Sequence, residues 1–550
     1  MTSPSANPVP AKRFSWRLLL PPSVLIIVYL AVIRVTGPFF LSPNFDPDYV
    51  YLFNGLNIAL GHAPVHTDHP GTPLQLLGGA WIRLHNVGAS TGETAVNTIL
   101  NSEDRLAQLN LLIFLLLLGA VTAAGFLIFG RTQKARPALL PAAGLLFLGT
   151  DVYCLGRYNP EPFLLLISFL LGLTIYCQCC LKQNPSPATA TPIRSQSPLV
   201  FPLLASGLVA TGLAAKINFA PLALLPLVLI RGKKNKLAYI FFTLVILALW
   251  LIPDYGQLGQ MTDWWEGLAT FTGRYGTGSL GLIDTSAYLR NAVEMAVNNL
   301  PYFLLVIVSL IFALHSLYRA RKTVGANDSQ TVLANPAGIL LAVSACELLQ
   351  FLIASKFQLS RYLVPGLGLT GLNLLLLLGS HDFEYTHRWL KAVVTVLGLA
   401  SAAMAVGGLV KLNQRTSENL KVYNAGQDFP GQPRRVFGYG SSSPYYAWHF
   451  GNNFSGWTYA PVLNLLVPDS DRVFFYDNFL KHYENVRGQG VPRDYLLARG
   501  PVIFQSPPLG GDEAIYQWPI GVKLTEQLGG PYEKIYRMEA ESPRTATARP

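Results

Sequence analysis

LVFPLLASGLVATGLAAKINFAPLALLPLVLIRGKKNK, residues 199–236, decides how the chain is threaded. The apolar run is longer than one ordinary membrane span and carries Lys216-Ile217-Asn218 near its middle. Read as a single helix, it would put Arg231, Lys233, Lys234 and Lys236 on the outer side. Read as two helices broken at Lys216, it returns that cluster to the cytoplasm, where short loops collect Lys and Arg. The sequence therefore predicts a broken pair of helices, with Lys216 at its outer turn.

Working outward, further apolar runs lie near 18–36, 111–130, 138–155, 161–181, 237–253, 299–318, 336–354, 362–380 and 390–410. With the broken pair they make about eleven spans. The chain is 51% hydrophobic and only 13% charged, as expected of a membrane protein rather than a string of soluble domains. Lys12, Arg13 and Arg17 precede the first run, which lacks a small-residue cleavage site and reads as an uncleaved signal anchor with a cytoplasmic N-terminus. The net charge of +11 is a topology signal rather than a nucleic-acid footprint, because residues 412–550 are nearly balanced, with 14 Lys/Arg against 13 Asp/Glu. The cytoplasmic segments carry only Asp328, Asp382 and Glu384 as acids.

The expected organisation follows. Residues 1–17 form a disordered cytoplasmic start, and 18–411 form an all-α polytopic membrane domain with long extracytoplasmic loops at 37–110 and 254–298. Short interfacial helices are expected at 56–60 and 74–84 within the first loop. Strand-like runs at Arg435–Tyr439 and Arg472–Tyr476 predict a small extracytoplasmic α/β domain over 412–540, and 541–550 read as a disordered tail. Cys154, Cys177, Cys179, Cys180 and Cys346 all sit in or beside apolar runs without metal-type spacing, so they read as packing residues.

Chemistry concentrates on the outer side. Asp46-Pro47-Asp48-Tyr49 follows the first span closely enough for a carboxylate to reach a lipid headgroup. Such a group can serve as general base, and two carboxylates at i, i+2 can also hold a divalent cation on a departing phosphate. The plain alternative is a solvated Asp-Pro-Asp turn. His62, His66, Asp68 and His69 follow in the same loop, where they read as a polar pocket lining more readily than as a metal site, because they do not share a helix face. Arg157, Lys216, Arg274, Lys356 and Arg361 fall on the same side, and five cations converging on one face favour an anionic ligand. Glu161 is placed to pair with Arg157, and Glu347 lies inside the ninth span with its role open.

The order of these elements resembles the GT-C superfamily of membrane glycosyltransferases, in particular its protein mannosyltransferase and aminoarabinose transferase branch, similar to glycosyltransferase family 39. The resemblance rests on the early Asp46-Pro47-Asp48-Tyr49, His69-Pro70, the Gly212 to Lys216 break, Arg157 through Glu161 and Lys356 through Pro365, and covers roughly residues 15–410. It implies a polyprenyl-phosphate sugar donor, a protein, lipid or glycan acceptor, and a multi-pass protein of the plasma (inner) membrane with its active site outside. The reaction implied is an inverting single displacement with a loop-one Asp as base. Asp48 is the preferred base and Asp46 its orienting or metal-binding neighbour. Arg361, Lys356, Lys216, Arg157 and Arg274 would hold the donor phosphate, while Tyr49, His69, Glu161 and Tyr362 would line the substrate pocket. The branch usually has an acidic pair where this chain has Asp-Pro-Asp, and His-Pro-Pro where it has His69-Pro70-Gly71. A secondary transporter or flippase of a lipid-linked or anionic solute is the alternative from another class, although no internal repeat supports it.

Overall fold

The computed structural model describes residues 15–41, 45–68, 71–179, 199–273, 278–324, 335–379, 388–429, 433–467, 469–478, 480–498, 500–509, 519 and 521–541. His69 and Arg274, the N-terminal 14 residues and most of the expected tail lie outside them. Seven described helices are long and apolar enough to cross a membrane: Trp16–Thr36, Ser102–Thr132, Ala135–Gly156, Pro160–Cys179, Leu300–Arg319, Pro336–Phe357 and Arg388–Gln427. Two bent pairs, Lys233–Trp250 with Ile252–Thr270 and Ser360–Leu367 with Thr370–Gly379, pass the same test, and two shorter apolar helices complete the set. Each expected span thus has a helical counterpart.

The shorter helices are Val200–Ala215 and Ala220–Leu229, separated at Lys216. Lys216 is extended (φ −165°, ψ 132°) and a single 3-10 turn, Ile217–Phe219, follows it. The return is tight because residue 212 is glycine: a Cβ there would lie 2.6 Å from the Phe219 ring. This geometry leaves the ammonium of Lys216 pointing into the protein, where it is buried.

The segment expected as the first outer loop, called loop one below, is more helical than its sequence suggested, with helices at Phe45–Ala59, Thr72–His85 and Thr91–Leu100. The last begins with a reciprocal Ser90–Glu93 capping box. The first two pack at backbone distance, since a Cβ on Gly55 would lie 3.1 Å from the Gly79 nitrogen. Asp254 from the segment that follows helix Lys233–Trp250 accepts a hydrogen bond from Thr72 (2.5 Å), which ties that segment to loop one.

The final apolar helix, Arg388–Gln427, runs for 40 residues. At 1.5 Å per residue that is about 60 Å, roughly twice the hydrocarbon thickness. The sequence turns polar near 411 because the helix leaves the apolar layer there, not because it ends. Its far end meets a seven-stranded sheet through Val422, Ile503 and Ile535. The strands are β1 (Arg434–Phe437), β2 (Val473–Asp477), β3 (His482–Asn485), β4 (Gly490–Val491), β5 (Val502–Ser506), β6 (Val522–Gly529) and β7 (Lys534–Ala540). Their order is β4-β3-β2-β1-β5-β7-β6, with β1 parallel to β2 and β5 and every other pairing antiparallel. Period-2 alternation sends Val436, Phe474 and Phe504 to one face, and Phe437 and Phe475 to the other.

The second face carries helix Pro444–Asn453, which seats the sheet on loop one. Asn54 donates to Phe454 O (3.1 Å), Asn57 donates to Ser455 O (3.2 Å), and Tyr459 donates to Asn57 Oδ1 (2.6 Å). Both Asn57 and Tyr459 are buried. Tyr459→Phe would strand the Asn57 oxygen, a cost of about 1–3 kcal/mol. The expected result is a lower melting temperature and faster protease cleavage between residues 428 and 444; unchanged values of both would show that this contact does not hold the domain down.

Candidate functional site

Asp46 is extended (φ −101°, ψ 123°), and the regular part of its helix begins behind it. The carboxylates of Asp46 and Asp48 therefore diverge. Asp48 points inward and is fully buried. Its Oδ2 accepts from Arg157 Nε (2.8 Å) and Nη2, and its Oδ1 accepts from the Tyr158 N–H. Burial pushes its carboxyl up, against the pull of Arg157 and of the Tyr158 N–H. Arg157 Nη2 also donates to the Asp46 carbonyl (2.8 Å), and Asn110 braces the segment by donating to Leu155 O and Arg157 O, both at 2.8 Å. The arrangement clasps loop one to the mouth of helix Pro160–Cys179.

A second clasp lies beside it. Glu161 Oε1 accepts from Lys216 Nζ at 2.6 Å, and Arg361 Nε lies 3.9 Å from the same oxygen. Lys216 Nζ also stands 4.6 Å from the centroid of the Tyr362 ring. Glu161 and Lys216 are almost inaccessible, whereas the Arg361 side chain keeps 26% of its exposure, so it is the cation of this group that a ligand can reach. The expected pairing of Arg157 with Glu161 does not occur. Arg157 sits in extended backbone just ahead of the helix that begins at Pro160, so the two side chains take different directions, one to Asp48 and the other to Lys216.

Asp46 is partly exposed, and among the described residues its carboxylate makes no hydrogen bond or ion pair. Its charge reaches Lys216, Arg361, Tyr51 and His66, so it neighbours the second clasp. Burial pushes the Tyr51 phenol well above its ordinary range, reinforced by Glu161 and Asp46, and burial lowers His66, so both face the site uncharged. The i, i+2 acidic pair does not offer two free carboxylates to a cation, because the Asp48 oxygens already hold a guanidinium and an amide. Among the described residues no group of three His, Cys, Asp or Glu side chains could ligate a metal.

From this cluster an apolar cavity of about 510 Å³ runs between helices, lined among others by Trp265, Leu268, Ile283, Leu352 and Phe357. Lys216, Lys356 and Tyr362 also line it. Lys356 Nζ donates to Leu268 O at 2.5 Å. Greasy walls with ammonium groups among them suit an amphiphile with an anionic head.

Of the residues singled out from sequence, Asp46, Asp48, Arg157, Glu161, Lys216, Arg361 and Tyr362 come together, and Lys356 joins them through the cavity. Tyr49 does not. Its hydroxyl donates to Glu103 Oε1 (2.5 Å) and its ring is buried, because helical geometry turns position 49 away from position 46. Glu103 also accepts from the Phe39 and Phe40 amides (2.7 and 3.0 Å), a structural role the sequence reading missed. Asn110, the brace under Arg157, was missed as well; its signal was an amide at the edge of an apolar run.

The fold is a helical domain of membrane type that carries a polar site beneath its loop helices and is closed by a small C-terminal sheet. Among solved structures, ArnT from Cupriavidus metallidurans in the apo state shares 14% identity over 94% of this chain and 97% of that one, with a TM-score of 0.46. The same protein bound to undecaprenyl phosphate gives 0.43 at the same identity and coverage. The apo oligosaccharyltransferase of Archaeoglobus fulgidus shares 11% identity over 85% of this chain and 70% of that one, with a TM-score of 0.42. Neither a family model nor a curated protein matches the sequence.

Proposed function

We propose that this chain is a glycosyltransferase that moves a sugar from a polyprenyl-phosphate donor to a hydroxyl or amine acceptor on a protein, lipid or glycan, at the outer face of the plasma (inner) membrane. The observation that carries the reading is the continuity of an apolar cavity with a cationic cluster, beside a carboxylate that no other described side chain occupies. The isoprenoid chain fits the cavity and the phosphate fits Arg361, with Lys216 behind it and Lys356 along the wall. Glu161 holds the two inner cations in place rather than touching substrate.

Asp46, rather than Asp48, is assigned as the base. It faces the cluster with free oxygens, whereas Asp48 is spent on Arg157. In the reaction the acceptor oxygen or nitrogen bonds to the anomeric carbon as the bond from that carbon to the phosphate oxygen breaks. The acceptor proton goes to Asp46 and the negative charge goes to the departing polyprenyl phosphate, where Arg361 and Lys216 stabilise it. The displacement is single and inverts the anomeric centre.

Arg361→Ala removes the accessible cation. A hydrogen bond to a charged group contributes about 1.5–3 kcal/mol, so donor affinity is expected to fall roughly tenfold to a hundredfold with little change in acceptor KM. Equal losses for donor and acceptor would remove Arg361 from the phosphate. The decisive assay incubates purified protein with a panel of polyprenyl-phosphate sugars and hydroxyl- and amine-bearing protein, lipid and glycan acceptors, and looks for released polyprenyl phosphate. Release from none of them, together with solute movement across vesicles, would replace the enzyme by a transporter.

A further inference from the structure

Glu347 takes no part in the chemistry above, yet it lies fully buried in the middle of helix Pro336–Phe357. A carboxylate at such depth requires a compensating charge or a proton. Among the described residues no Lys, Arg or His pairs with it. Its Oε2 accepts from Asn373 Nδ2 (2.6 Å), a side chain of helix Thr370–Gly379. Tyr302 of helix Leu300–Val324 approaches from a third side: a Cβ on Gly366 would collide with Tyr302 Oη and lie 3.7 Å from Glu347 Cγ. Gln350 follows Glu347 by three residues on the same helix, so it shares that face.

Among the described residues, four buried oxygens in this cluster find no hydrogen-bond partner: Glu347 Oε1, Asn373 Oδ1, Gln350 Oε1 and Tyr302 Oη. Buried polar atoms are nearly always satisfied, so an orphaned carboxylate oxygen with three orphaned oxygens on neighbouring side chains makes a candidate cluster for a cation. One carboxylate, two amide carbonyls and a phenol are hard oxygen donors, which select alkali or alkaline-earth ions over thiophilic or imidazole-seeking metals. Charge then selects between those two groups. A monovalent ion neutralises the single carboxylate, whereas a divalent ion would leave a net positive charge in a low-dielectric interior.

We propose that Glu347, Asn373, Gln350 and Tyr302 bind one alkali-metal cation inside the helical domain. The titratable groups beside Glu347 are Tyr302 and its chain neighbour Cys346, neither of which supplies a cation, so a proton is the competing occupant. Gln350 connects the cluster to the large cavity: it lines that cavity, and its Nε2 donates to the carbonyl of Tyr362 at 2.6 Å. Gln350 thus stands between the cluster and the cavity, and binding of the ion does not depend on the proposed transfer reaction.

The test is thermal unfolding of the purified full-length protein in detergent, titrated with sodium, potassium or lithium chloride against choline chloride at equal ionic strength. The melting temperature is expected to rise by a few degrees for each tenfold increase in one preferred alkali ion, and to change little with choline. Tyr302→Phe should require roughly tenfold more ion for the same shift. Glu347→Gln should abolish the shift and, in choline, melt at or above the wild type, because the amide needs no counter-charge. If Glu347→Gln fails to fold, the wild type and Tyr302→Phe decide alone. Identical melting in all four salts, or an equal response to every ion, would overturn the site and leave Glu347 as a buried protonated acid.

Discussion

Asp46→Asn is expected to slow glycosyl transfer by about 10²–10⁴-fold while leaving the fold and donor binding intact, the range associated with losing a general base. Asn keeps the shape of the side chain, and the backbone carbonyl through which Asp46 touches Arg157 is unchanged. The substitution therefore removes a negative charge and a proton acceptor without removing packing. Donor affinity should hold or rise slightly, since the charge removed neighbours the cationic cluster proposed to meet the phosphate. The measurement is single-turnover release of polyprenyl phosphate, with melting temperature recorded on the same preparation. Wild-type turnover in this variant would take Asp46 out of the reaction.

The helical framework was legible because membrane helices are read from two coarse signals, apolar length and the side on which Lys and Arg accumulate. The break at Lys216 shows how far they reach. One charge in a long apolar run has few inexpensive positions, and placing it at a turn also satisfied the loop charges. The two strand runs near 435 and 473 were visible for a similar reason, since valine and aromatic residues cluster there between turn-forming Pro, Gly, Asp and Asn residues. Side-chain pairing was not visible. Arg157 and Glu161 are four residues apart and of opposite sign, which suggests a partnership along one helix, yet the helix begins between them and each takes a partner more than fifty residues away. Nor did any periodicity show that the last helix continues through Gln427, because a helix that leaves the apolar layer changes composition without changing its backbone. The amides of Asn54 and Asn57, which seat the sheet on loop one, look in the sequence like ordinary polar positions of an outer segment. Their partners lie near residues 454–459, far along the chain.

Asp48→Asn should behave in the opposite way to Asp46→Asn, and the contrast separates their roles. Removing one member of a buried ion pair leaves the other charge uncompensated, at a cost of about 3–5 kcal/mol. Both partners here are almost inaccessible, so solvent does little to soften the loss. An amide at position 48 would also direct its NH2 group at Arg157 or at the Tyr158 N–H, replacing an acceptor by a donor. The expected result is a clearly lower melting temperature, with turnover falling in step with the folded fraction. The double variant Asp48→Asn with Arg157→Leu removes the stranded cation, so it should be more stable than Asp48→Asn alone, and that non-additivity is the sign of a direct pair. Simple addition of the two losses would deny the clasp. Full thermal stability with lost turnover in Asp48→Asn would return the base to Asp48 and make Asp46 the residue that merely faces the donor.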